Sequence, residues 1–378
     1  MTEIQLIDSD VHPPYPPIGD LLPHMTARWV EFARESGFQR SAAYENAFPH
    51  GAQTTGEALS SGRVARHSKS GGRSDAIASR MSPLDTLRVR VLDKTARYAI
   101  LNLYYGVELI RHPDWAAALA SACNDWLITN WLDKDPRLRA GIVVDPKYPD
   151  LAANEIDRAS KHPGFVQVLL PVRSEVPYGN RRYAALLEHA VSAGLAVGIQ
   201  FGGFTGNATT PVGWPSTYFE DYVGMITAFQ AQVLSLIVEG TFERLPGLKI
   251  ALLEAGWTWI PSFLWRMDKD WKGFRREAPW VGAPPSAYVR KHFHATLQPM
   301  DASPKVASLL PYVEQIGADG FLLFASEYPH RHATPAQELL NLLSPALRGK
   351  IEHDNAAKLY DFDRATSAKT ATTSPTPA

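Results

Sequence analysis

The chain has 378 residues, 45% of them hydrophobic and 20% charged, an ordinary globular composition at a length that an α/β barrel can use as one unit. Its formal net charge of -1 excludes a global field that would recruit nucleic acid or an anionic membrane surface. Cys123 is the only cysteine, so no intrachain disulfide forms and a reducing compartment is expected. Met1 to Pro17 shows no basic end followed by an apolar stretch, as a signal peptide would, and no apolar run approaches the roughly 20 residues that span a bilayer. The expectation is a cytoplasmic protein with no nucleic-acid or membrane partner.

Taken in chain order, short apolar runs alternate with segments of helical periodicity. The runs predicted as strands are Ile4–Ile7, Tyr98–Asn102, Leu138–Val144, Phe165–Leu170, Leu195–Gln200, Lys249–Glu254, His292–Leu297 and Phe321–Ala325. Asp114–Trp131, Arg182–Val191, Tyr222–Phe242, Ile260–Lys272 and Lys305–Ile316 carry apolar residues at helical spacing. Eight strands with helices between them predict an α/β fold, a closed (β/α)8 TIM barrel with a long insertion after strand 1. Neither the GxGxxG fingerprint nor a P-loop occurs. Residues 40–80 are rich in Ser, Gly and Ala and read as a lid, an interface arm or disorder; their Arg63, Arg66, Lys69 and Arg73 read as a solvated loop rather than as anion contacts. The expected organisation is one barrel over 1–363 and a disordered Thr/Ser/Pro/Ala tail over 364–378.

Barrel active sites sit at the C-terminal ends of the strands. After the first run comes Asp8-Ser9-Asp10-Val11-His12, in which Asp10 and His12 point the same way if the chain is extended. The fifth run ends in Gln200, the sixth in Glu254, and the eighth leads into Ser326-Glu327-Tyr328-Pro329-His330. Carboxylates and an imidazole converging there repel one another or stay desolvated unless a cation lies among them. Taken singly, each of these is as easily read as a loop residue. Asp8 reads as the partner of a backbone turn, and His332 as solvated. His294 on the seventh strand reaches the pocket if it points inward, and is equally a core histidine. Trp214, Tyr218, Trp257 and Trp259 read as lining a pocket or an interface, or as packing.

With these residues in view, the sequence resembles the decarboxylase-like branch of the amidohydrolase superfamily. The resemblance rests on Ile7-Asp8-Ser9-Asp10-Val11-His12, on Leu248 to Trp257 with Trp265-Arg266-Met267-Asp268 after it, on Phe324 to His330, and on Asn355-Ala356-Ala357-Lys358-Leu359-Tyr360. It covers most of Ile4 to Phe362 outside the insertion. The resemblance implies a barrel that binds one or two divalent metals through H-x-H on strand 1, a His on strand 5 and an Asp on strand 8. Here Asp10 replaces the first His, His12 is kept, Gln200 stands for the strand 5 His, Glu254 for a strand 6 His, and Glu327 for the strand 8 Asp. Asp10, His12 and Glu327 are then the implied ligands of one divalent ion, zinc first, iron or manganese as alternatives. Glu254 and His330 are the implied catalytic groups, while Gln200, His294 and Trp257 bind substrate or support the ligands.

A Gln offers zinc only a neutral amide oxygen, and Glu for Asp moves the carboxylate by roughly 1.5 Å. Those two departures predict a barrel that has lost the usual family chemistry. It would act as one subunit of a hetero-oligomeric metalloenzyme, resembling the less metal-rich subunit of a two-subunit 2-aminoisobutyrate hydroxylase type of complex. The partner would be a homologous barrel, and the substrate a small amino or carboxylic acid. The competing expectations are a stand-alone hydrolase or decarboxylase of a small carboxylic acid, and a non-enzymatic binding protein.

Overall fold

The computed structural model describes residues 6–38, 81–202, 208, 210–301, 303, 305–330, 332 and 336–362. The expectations for 40–80 and 364–378 lie outside the described residues. Eight parallel strands follow one another around a single sheet: β1 Ile7–Val11, β2 Tyr98–Leu101, β3 Leu138–Val143, β4 Phe165–Pro171, β5 Ala196–Gln200, β6 Ile250–Leu253, β7 Phe293–Thr296 and β8 Leu322–Leu323. The helices of seven residues or more are α1 Ala27–Glu35, α2 Pro113–Leu127, α3 Pro149–Ala159, α4 Ala184–Ser192, α5 Tyr218–Val238, α6 Ile260–Phe274, α7 Pro285–His292 and α8 Leu310–Ile316. The ring closes through backbone bonds from Ser9 N to Phe324 O (2.9 Å), Glu327 N to Asp10 O (3.0 Å) and His12 N to Tyr328 O (2.7 Å). This is the predicted (β/α)8 barrel.

Strands of an all-parallel sheet are covered on both faces, so they read as apolar runs rather than as alternating ones. One face of each strand packs under the helices. The other face fills the interior, where Ile7, Ile100, Leu169, Ala251, Leu253 and Leu323 form a second apolar cluster. That cluster is closed from below by the last helix, Asn355–Leu359, and by Tyr360 and Phe362. Asn355 anchors this floor by donating from Nδ2 to Leu322 O (2.8 Å), which accounts for the Asn355–Tyr360 segment. The interior therefore has a largely apolar floor, with Arg139 and His294 at that end, and the acidic groups Asp10, Glu254 and Glu327 lie at or just past the upper, C-terminal ends of the strands.

Several sequence boundaries move. The first strand runs from Ile7 to Val11 rather than ending at Ile7, so Asp8, Ser9 and Asp10 lie within it. Pairing with β2 and closure against Phe324 and Tyr328 extend the strand through these polar residues despite their low β propensity. The helix predicted over Tyr222–Phe242 starts earlier, where Thr217 and Glu220 form a reciprocal capping box, and ends at Val238. Sequence reading named no helix between strands 3 and 4, where α3 lies.

Candidate metal centre

Asp10 and His12 leave the end of β1 on the same side, as their spacing predicts, with His12 Nε2 3.5 Å from Asp10 Oδ1. Glu254 follows β6, and its Oε1 is also 3.5 Å from His12 Nε2. Glu327 follows β8 and carries two imidazoles: His330 Nδ1 lies 3.0 Å from Oε1 and His332 Nε2 2.7 Å from Oε2. Gln200, the last residue of β5, donates from Nε2 to Glu254 Oε1 at 2.7 Å. Glu254 and Glu327 both hold φ near +60° (59° and 55°), a conformation side-chain-bearing residues adopt at a cost of order 1–3 kcal/mol. Both sit where the chain turns abruptly off a strand end, and the turn aims the carboxylate into the mouth.

Burial and charge explain the protonation of the cluster. Burial, then Glu327 and Asp10, push Glu254 well above the ordinary carboxylate range. Burial also raises Asp10, against a hydrogen bond from Asn102 that favours its ionised form. Burial and the neighbouring His330 lower His12 to about 4, so its imidazole is neutral near pH 7. Glu327 goes the other way: burial works to raise it, but the bonds from His330 and His332 outweigh burial and hold it down. The result is a neutral imidazole nitrogen facing a set of carboxylates with too little positive charge among them.

This donor set fits a divalent cation. Single ligand atoms from Asp10, His12 and Glu254 lie within 4.8 Å of one another, and so do atoms from His12, Glu327 and His330. Ligand atoms around an ion at about 2.1 Å stand on the order of 3 Å apart or more, so the observed spacing needs little adjustment. Asp10 Oδ2 and Gln200 Oε1 are buried with no hydrogen-bond partner among the described residues, the condition an added ion relieves.

The other expected residues separate. Trp257, three residues past Glu254, is wholly buried in the main apolar core, its Nε1 donating to Leu297 O (3.3 Å), so it packs there and does not line an open pocket. His294 pairs in register with Ala251, and its neighbouring charges are Lys249 and Lys358, so it belongs to the floor end of the barrel, away from the cluster. His332, read as solvated, instead places its Nε2 2.7 Å from Glu327 Oε2. Asp8 plays the turn role expected of it, its Oδ1 accepting from Ser326 N (2.9 Å). Sequence reading missed Asn102, which donates from Nδ2 to Asp10 Oδ1 (2.8 Å). It also missed Tyr222 on α5, whose ring centroid lies 4.9 Å from that of Phe201. Burial of the Tyr222 hydroxyl, then Glu327 and Glu254, raise its pKa above the usual tyrosine value, so the ring overlooks the cluster. The signal for Asn102 was a polar tip just after an apolar run, at the end of strand 2, whereas Tyr222 follows Glu220 and Asp221 within a helix and carried no such mark.

The amidohydrolase family model matches residues 7–362. This chain belongs to the amidohydrolase family. It is 24% identical over 319 residues to the γ-resorcylate decarboxylase of Rhodococcus jostii (strain RHA1), an alignment covering 77% of this chain and 91% of that enzyme. Among solved structures, it is similar to an amidohydrolase of Mycobacterium avium subsp. paratuberculosis K-10, with a TM-score of 0.70, 21% identity and coverage of 95% of this chain and all (100%) of that one. It is also similar to a dihydroxybenzoic acid decarboxylase of Polaromonas sp. JS666 with bound manganese and the inhibitor 2-nitroresorcinol, with a TM-score of 0.64, 21% identity and coverage of 96% and 99%. At that identity the structural likeness speaks for the barrel.

Proposed function

We propose that this chain is a stand-alone, metal-dependent decarboxylase of a small aromatic carboxylic acid. The observation that carries the reading is the convergence of Asp10, His12, Glu254 and Glu327 at the barrel mouth, in a family member whose curated relative decarboxylates γ-resorcylate. Asp10, His12 and Glu327 would hold the ion, and His330 and His332 would fix Glu327. An oxygen-rich set with one neutral imidazole suits manganese better than the zinc expected from sequence, and a structural relative carries manganese. The ion, when bound, supplies positive charge for the substrate carboxylate and for charge developing on the ring.

The remaining chemistry falls to Glu254, the acid of the set. Its carboxyl protonates the ring carbon that bears the substrate carboxylate. A C–H bond forms, the C–C bond to the carboxylate breaks, its electron pair restores the aromatic ring, and CO2 leaves. Glu254 then regains a proton from solvent. Gln200 holds Glu254 Oε1, so the proton belongs on Oε2. Phe201 and Tyr222 offer an aromatic wall beside this group. The test is CO2 release from γ-resorcylate and a panel of hydroxybenzoates by the purified, Mn2+-loaded chain. Turnover is expected, with Glu254→Gln losing it and keeping Mn2+. A metal-loaded chain inert toward the whole panel overturns the reading.

A second reading, in which this barrel works beside a homologous barrel, is favoured by one observation. No charged residue lies between Tyr222 and Val238 on α5, and Phe219, Val223, Leu234 and Val238 on that helix are exposed, Phe219 by 77%. Faces of this kind mark interaction surfaces. Native mass measurement of the protein from its source separates the readings: a hetero-oligomer supports the second, a single-component species removes it.

A further inference from the structure

Below the mouth cluster and above the apolar floor, one layer of the barrel interior is polar. Asn102, 1% exposed at the end of β2, donates from Nδ2 to Asp10 Oδ1 (2.8 Å) and to Ser9 O (3.3 Å). Both of these groups are acceptors, so chemistry alone dictates which end of the Asn102 amide faces them. Asn102 Oδ1 is thereby turned toward β4, where Gln167, wholly buried, donates to it from Nε2 at 2.8 Å. Room for two long amides inside a barrel comes from the strands between and beyond them. A Cβ on Gly141 of β3 would stand 3.3 Å from Asn102 Oδ1 and 3.4 Å from Gln167 Cγ, and a Cβ on Gly198 of β5 would stand 2.7 Å from Gln167 Oε1. The layer thus alternates long amide and glycine over β2 to β5, a fitted arrangement.

We infer that Asn102 and Gln167 form a positioning relay that fixes the orientation of the Asp10 carboxylate at the cation site. Asp10 Oδ1, the oxygen that lies 3.5 Å from His12 Nε2, is held by the Asn102 amide, while Oδ2 is buried without a hydrogen-bond partner among the described residues, so the amide fixes how the carboxylate is turned at the site. Gln167 never reaches the site; it acts by holding the Asn102 amide against rotation. An outer hydrogen bond of this kind typically contributes 10–100-fold in metal affinity. The inference rests on the metal-binding reading above and adds to it a route by which a residue two side chains away tunes the site.

The test is a double-mutant cycle on Mn2+ affinity, read by the Mn2+ spectroscopic signal in the intact chain without substrate, using Asn102→Leu and Gln167→Met. Asn102→Leu is expected to weaken binding 10- to 100-fold and Gln167→Met about tenfold, with Gln167→Met adding nothing further once Asn102 is Leu. Equal factors in both backgrounds, or an unchanged affinity in a folded Gln167→Met, overturn the relay. A second readout is independent of metal: the side-chain NH2 resonances of Asn102 in protein labelled at asparagine. They are expected as one sharp pair in the metal-free wild type, broadened or doubled in Gln167→Met. Asn102 signals indifferent to Gln167→Met also overturn the relay. A wild-type chain that binds no Mn2+ defeats the metal reading, and the asparagine signals then decide the relay by themselves.

Discussion

At the residue scale, the groups that carry the chemistry were the legible ones. Asp10, His12, Gln200, Glu254 and Glu327 each interrupt an apolar run at the end where barrel sites form, so sequence position alone marked them. Asn102 and Gln167 were not legible as partners, because an amide inside a strand shows nothing of what it faces. His294 misled for a related reason: inward direction follows from strand parity, but height in the barrel does not, and its place opposite Ala251 puts it at the floor. That placement carries a prediction. Burial, then Lys249 and Lys358, lower His294 to about 4 against an ordinary 6.5. The fold therefore refuses a proton that the unfolded chain accepts, and stability falls as pH drops from about 6.5 to about 4. His294→Gln removes this dependence. Urea unfolding should show the variant gaining on the wild type across that window, by at most about 3 kcal/mol at its acid end. Parallel pH profiles would refute the assignment.

At the element scale, the eight strands were legible because each is a short apolar run between helices, while their ends were not. β1 extends through Asp8-Ser9-Asp10 because its neighbours on both sides supply backbone partners that no local propensity announces. The seating of the β4–α4 connection on α5 was likewise invisible. Gln232 of α5 receives Tyr178 N on Oε1 (2.7 Å) and donates from Nε2 to Val172 O (2.7 Å). Next to this clasp, a Cβ on Gly179 would lie 2.2 Å from the backbone oxygen of Ser235, a position that cannot yield as a side-chain tip could. Gly179→Ala must push the connection off α5, and overpacking of this kind costs about 1–3 kcal/mol or more. A drop of that size in denaturant midpoint is expected. Gly141→Ala, whose Cβ meets side-chain atoms at 3.3 Å, should cost less. Equal costs at the two glycines would argue against the rigid contact. The same helix begins with Tyr218 and carries Tyr222 over the cluster, so loosening it should also weaken substrate binding more than metal binding, seen as a rise in KM at fixed Mn2+.

At the scale of the whole molecule, the barrel mouth is a centre of electrostatic cost. The apolar clusters of the floor and of the helix-covered face are held by packing, whereas the mouth holds Asp10, Glu254 and Glu327 about the neutral imidazole of His12. Without a cation, Glu254 and Asp10 are kept protonated or desolvated, and that penalty falls on the folded state alone, since the unfolded chain hydrates each carboxylate separately. A divalent ion removes the penalty in the fold and has no comparable site in the unfolded chain. Binding at one hundred times its Kd stabilises by about 2.7 kcal/mol, and a chain of this length should show a rise of several degrees in Tm. Calorimetry of chelator-treated protein with and without Mn2+ measures it. His12→Ala removes the one imidazole shared by both ligand groups, so it should abolish most of the rise while leaving the metal-free Tm near the wild-type value. Wild-type protein that melts at the same temperature with and without Mn2+, over a concentration range reaching millimolar, would mean that the converging carboxylates are balanced by protons alone and that the cluster is not a metal centre.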